Sequence, residues 1–213
     1  MLINEVTTQH DGSDASAALE SRVSLYRGLP EMVAYPIGHE TFMPIRLDRK
    51  LRDSVPLSGM IFDVVMESNG LPFRKANTAS ASVRQVQAEM YGAVCRVFPL
   101  DGTQYLYSTV VGDFMSLANA VLRQSYDYVD KITPVKTSAF VPSMWSYQKI
   151  LGPHADLVEK FARKNAKKIF KASQLVVTTD INSITNAMGE VLLFGTAGYY
   201  VRRIEGLPWD ADI

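Results

Sequence analysis

The side chains best placed to do chemistry are a run of cations. Residues 159–174 hold six basic groups and one acidic group. Read as a helix at 100° per residue, Lys160, Arg163, Lys164, Lys167, Lys168 and Lys171 fall within an arc of about 140°. Val158, Phe161, Ala162, Ile169 and Ala172 take the opposite side, giving one dry face and one face of a single sign. A helix that stabilised itself by surface pairs would place a glutamate four residues before each lysine. Only Glu159 and Arg163 stand in that relation. Six like charges repel one another unless anions lie near, so the pattern suits phosphates or a partner's carboxylates. A lysine-rich face that serves only solubility has the same pattern. Solvent, nucleic acid and an acidic protein surface therefore all fit. A membrane surface fits poorly, because the dry face has few large anchors.

A second group is aromatic. The runs Val94–Phe98 and Gln104–Val110 are rich in β-formers and flank Leu100-Asp101-Gly102-Thr103. Asp-Gly favours a two-residue turn of type I′, so the two runs are predicted to pair as a hairpin. That register puts Arg96, Phe98, Tyr105 and Tyr107 on one face, a candidate platform for stacking bases, or a face that the rest of the fold covers. Cys95, Val97, Leu106, Ser108 and Val110 then form the core side. A smaller basic group, Arg46, Arg49, Lys50 and Arg52, is interrupted by Asp48 and Asp53 and reads as mixed surface.

Motifs for catalysis are not found. The three histidines, His10, His39 and His154, are far apart and lack partners at metal-ligand spacing. Gly195-Thr196-Ala197-Gly198 has no lysine after it and reads as a turn rather than a phosphate loop. Cys95, the one cysteine, excludes an internal disulfide framework and falls on the expected core side. No catalytic residue, metal ligand or cofactor site is assigned.

These groups need elements to position them. Asp113 is a good cap for a helix that Thr133-Pro134 ends. Residues 143–151 suit a short helix, and Gly152-Pro153 opens the basic one, which runs to about Ala172. Leu175–Thr179 reads as a strand, Asp180–Met188 as a capped short helix. Glu190–Phe194 and Tyr199–Ile204 read as a second hairpin. Gly59–Glu67 is expected to be a strand and Ala76–Ser82 a mobile loop. Residues 83–92 fit helix and strand equally. Strands, then helices, then strands predict an α+β fold: an antiparallel sheet built from hairpins and packed against two or three amphipathic helices.

Before that domain lies a segment of another kind. Residues 4–20 are small, polar and acidic, and the stretch after them is punctuated by Pro30, Pro36, Pro44 and Pro56. Residues 1–56 are expected to form an extended N-terminal arm, with a short helical patch near Ser16–Tyr26 and a partner subunit ordering part of it. Residues 57–213 are the expected single domain.

In total the chain has 213 residues, 22 basic and 22 acidic, and 47% are hydrophobic. That excludes a disordered chain and a wholesale polycation. The zero net charge conceals blocks: −4 over residues 1–40, +3 over 41–100, −1 over 101–158, +5 over 159–174 and −3 over 175–213. No run reaches the roughly 18 apolar residues of a membrane span. Met1-Leu2-Ile3-Asn4-Glu5 lacks a signal peptide's basic start and apolar centre. A cytoplasmic or virion location is expected. The expected function is non-enzymatic: a structural or assembly protein, of the kind found in virus or phage particles, forming a homo- or hetero-oligomer through its arm. The alternative is a nucleic-acid-binding protein using helix 153–172.

Overall fold

The computed structural model describes residues 23–30, 37–45, 56–133 and 144–204. Within them run β1 (Leu25–Leu29), β2 (Glu40–Pro44), α1 (Pro56–Ser68), β3 (Ala79–Ser82), α2 (Gln85–Glu89), β4 (Ala93–Pro99) and β5 (Gln104–Ser108). Then come α3 (Phe114–Ile132), α4 (Met144–Leu151), α5 (Ala155–Ala172), β6 (Leu175–Thr178), β7 (Glu190–Phe194) and β8 (Gly198–Arg203). All the paired strands are antiparallel, in the order β2-β8-β4-β1-β3-β7-β5-β6. The fold is α+β, as the alternation of patterns predicts.

The expected hairpins do not form. β4 pairs with β1 and β8, while β5 pairs with β6 and β7, and neither β4–β5 nor β7–β8 is a pair. A type I′ turn needs positive φ at both central residues. Here Gly102 has φ +81°, but Asp101 is not left-handed. The connection therefore kinks the chain instead of reversing it. The register makes this plain: 95 pairs with 203 between β4 and β8, and 104 with 194 between β5 and β7, so paired numbers total 298 in both ladders. β4–β5 and β7–β8 are two long bent strands that stay in register across their bends. The bends touch, with the Thr103 and Thr196 hydroxyls 3.2 Å apart.

The sheet must curl as a result. β4 and β5 stand four places apart in the strand order, about 19 Å in a flat sheet. Four connecting residues must bridge that gap, and so must three between β7 and β8. Curling brings the ends together and encloses one core. Leu25, Leu29, Ala79, Ala81, Cys95, Val97, Tyr105, Tyr107, Val191, Leu193, Tyr199 and Val201 point into it. On the other face of β5 and β7, Leu106 and Leu192 meet α1, α3 and α5, where Ile61, Phe62, Val65, Phe114, Leu122, Val158 and Ile169 form a second core.

Four other expectations change. Gly59–Glu67 lies inside helix α1, not a strand. Its Val64–Val65 pair favours strand locally, but Leu57, Ile61, Phe62, Val64, Val65 and Met66 are all buried between α3 and α5. A helix wet on so little of its surface shows weak periodicity. Ala79–Ser82, expected as loop, is β3, whose small Ala79 and Ala81 fit the crowded concave side. Residues 25–29 and 40–44, expected within the arm, supply β1 and β2. Pro30 follows β1 and Pro44 ends β2, so these prolines delimit strands instead of preventing them. The helical patch near Ser16–Tyr26 runs into β1 at its described end, while residues 1–22 and the Arg46 cluster lie outside the described residues. Within residues 83–92, Gln85–Glu89 form helix α2, which lies over the back of β1. There Gly28 has no room for a Cβ, which would meet the Ala88 carbonyl and Tyr91.

Candidate functional site

Helix α5 carries the basic face. A 3-10 turn at Gly152–His154 leads into it, with Pro153 in the first turn, where a missing N–H costs nothing. Val158, Ala162, Ala166 and Ile169 recur at helical spacing and are buried. The two alanines let α1 and α3 approach closely. Phe161 is partly buried against Tyr128, ring centroids 5.4 Å apart. Ala172, expected on the dry side, is exposed at the helix end.

Lys160, Arg163, Lys164, Lys167, Lys168 and Lys171 are all exposed on the remaining face. Among the described residues only Arg163 of these six has a carboxylate partner. It lies 2.9 Å from Glu159 and 3.5 Å from Glu67 of α1. Solvent screens pairs as exposed as these, so they add little to stability. The five lysines stretch along roughly 16 Å of helix, at 1.5 Å per residue.

The second predicted group is divided. Arg96 and Phe98 lie on the outer face of β4, while Tyr105 and Tyr107 lie across the bend on the enclosed face. Phe98 is 2% exposed and Tyr105 and Tyr107 are 4% exposed, so these rings form no open platform. Arg96 covers Phe98, its guanidinium 5.4 Å from the ring centroid, and Arg202 does the same at 5.3 Å. The expected shared face fails because the register of a hairpin differs from that of a bend. What the actual register assembles is a row of Glu40, Arg202, Arg96 and Tyr26 across four strands, beside a row of Phe42, Tyr200 and Phe98. Glu40 pairs with Arg202, and Phe42 meets Tyr200 edge-on at 5.4 Å.

Sequence reasoning missed a half-buried polar cluster where α1, β3, β7 and α3 meet. Lys75 Nζ lies 3.2 Å from Glu190 Oε1, and both side chains are 12% exposed. The Ser80 hydroxyl donates to the same oxygen at 2.5 Å. The Phe114 N–H donates to Glu190 Oε2 at 2.8 Å, and the Lys75 N–H to Asp63 Oδ1 at 2.8 Å. Burial pushes the Asp63 carboxyl above its ordinary range, against the pull of the Lys75 N–H, Arg74 and Lys75. Each group is satisfied by a neighbouring element, so the cluster ties the sheet to the helices. Only the position of Glu190 at the start of a strand hinted at it.

The histidines do not converge. His39 is exposed before β2, His154 ends the turn before α5, and His10 lies outside the described residues. Among the described residues no three acidic, histidine or cysteine groups are placed to hold a metal. Cys95 is 1% exposed, and burial raises its thiol pKa, which disfavours the reactive thiolate. No described helix is long and apolar enough to cross a membrane. No protein-family model, no curated protein and no solved structure matches this chain.

Proposed function

We propose that this chain is a non-enzymatic assembly protein, a subunit of a larger particle of the virus or phage kind, and that α5 is its contact surface for an acidic partner. One observation carries the reading: five exposed lysines on α5 without a carboxylate partner among the described residues. Concentrating them on one rigid helix costs repulsion that an acidic surface relieves. Residues 1–40, with a net charge of −4, hold acidic groups of that kind within the chain's own sequence. The test is sedimentation velocity of the full chain at increasing salt. An oligomer that dissociates as salt rises supports the reading, because contacts between exposed charges are screened. A monomer at every concentration and salt overturns self-assembly.

A second reading is nucleic-acid binding. It is favoured by the arginine and aromatic rows of Tyr26, Arg96, Arg202, Phe42 and Tyr200, all half-buried on the sheet's outer face. Side chains of this kind stack bases on sheet surfaces. Anisotropy titration with single-stranded RNA distinguishes the readings. Binding that falls steeply with salt and weakens in Arg96→Ala favours nucleic acid.

A further inference from the structure

Two arginines face each other across the outer side of the sheet. Arg96 of β4 and Arg202 of β8 are direct cross-strand partners, a position in which like charges repel. Both guanidiniums rest on one ring, 5.4 and 5.3 Å from the Phe98 centroid. Glu40 of β2 pairs with Arg202 from the next strand and neutralises one of the two charges. Arg96 has no carboxylate or other hydrogen-bond acceptor among the described residues, so the donor fork of its guanidinium is unused. Arg202 Nε is buried and also meets no acceptor there. A half-buried pair of guanidiniums with donors to spare calls for an anion.

The composition of these strands separates them from the lysine face of α5. β1, β2, β4 and β8 hold Arg27, Arg96, Arg202 and Arg203, one acid, Glu40, and no lysine. Arg27 is stacked as well, its guanidinium 5.7 Å from the Tyr199 centroid. The compact, strongly hydrated ammonium of lysine suits a solvated surface. A flat guanidinium stacks on rings and holds phosphate through two parallel N–H bonds. The adjoining row is aromatic: Tyr200 stands opposite Phe98 and Phe42 opposite Tyr200, while Tyr26 flanks Arg96 on β1. Tyr26, Phe42 and Tyr200 are half-buried, so part of each is open. Phosphate-binding groups beside rings suit an unpaired strand, whose bases are free to stack. A duplex offers its phosphates but keeps its bases stacked inside, and inorganic phosphate brings no base.

We propose that Arg96 and Arg202 hold a phosphodiester of single-stranded nucleic acid, with neighbouring bases stacked on Tyr26 and Tyr200. This role rests on the nucleic-acid reading; what it adds is an unpaired strand and the residues that take its phosphate.

The test is fluorescence anisotropy of the full chain with a labelled oligouridylate of about eight nucleotides, at several salt concentrations. Competitors are an RNA duplex of the same length, uridine monophosphate and inorganic phosphate. The oligouridylate should bind, and each competitor should be at least about tenfold weaker than the unlabelled strand. Arg96→Gln should weaken binding about tenfold and lower the salt slope by about one, the loss of one phosphate contact. Tyr200→Leu should weaken it about tenfold with the salt slope unchanged, the loss of one stacked base. Arg96→Lys keeps the charge and a stem over Phe98, so it should keep the salt slope and lose only part of the affinity. Unchanged circular dichroism certifies the fold of each variant. Full affinity and an unchanged slope in both Arg96 variants would remove the arginine pair while leaving nucleic-acid binding in place. Equal competition by the duplex, the mononucleotide or phosphate would likewise overturn the single strand alone. Absence of binding by the wild type would remove the nucleic-acid reading and this site with it.

Discussion

Glu190 shows how one side chain can join several elements. Its two oxygens receive Lys75, Ser80 and the first N–H of α3. Removing it leaves a mostly buried ammonium and an unpaired helix N–H, so Glu190→Ala should lower unfolding stability by about 3 kcal/mol. Chemical denaturation checks this, and a loss no larger than that of an ordinary surface change would contradict it. Asp63 makes a pH-dependent prediction. Its raised pKa means that the folded state holds the proton more tightly than the unfolded chain does. Ionisation therefore weakens the fold as pH climbs through the carboxylate range. Asp63→Asn keeps an acceptor for the Lys75 N–H and removes the ionisation. The variant's Tm should match the wild type at acid pH and exceed it at neutral pH. A wild type that gains on the variant as pH rises would refute the assignment.

At the scale of elements, sequence legibility depended on how much of each surface is wet. Helices α3 and α5 each bury one stripe, so their periodicity, the Asp113 cap and the Pro153 start could be read directly. Helix α1 is buried on most sides and reads as a strand. β3 is made of small residues because it lies inside the curl, and it reads as a loop. The strand segments of both expected hairpins were legible, but their partners were not, because a turn residue alone does not distinguish a reversal from a bend. The stacking group was lost with them, while the lysine face was found because it depends on helical spacing alone. Two substitutions probe these elements. Asp113→Ala removes the side chain that accepts from the Ser116 N–H at 2.7 Å and should cost about 1 kcal/mol. Gly28→Ala drives a methyl into the Ala88 carbonyl and should cost about 2–3 kcal/mol. Thermal unfolding measures both, and tolerance of Gly28→Ala would mean that α2 does not press on β1.

For the whole molecule, charge is sorted by place rather than mixed. The acidic N-terminal forty residues and the basic α5 lie far apart in the sequence, so the zero net charge says nothing about local contacts. Arm truncation needs care, because β1 begins at Leu25 in the middle of the sheet and a cut beyond residue 22 would remove sheet along with arm. The lysine face allows a cleaner experiment, since its side chains are exposed and their replacement leaves the buried stripe of α5 untouched. Light scattering on the size-separated full chain, wild type beside the triple change Lys164→Glu, Lys167→Glu and Lys168→Glu, measures its effect on mass. If α5 is the contact surface, the wild type has the mass of a defined oligomer and the triple variant that of a folded monomer. An identical oligomer for both proteins would contradict that role for α5.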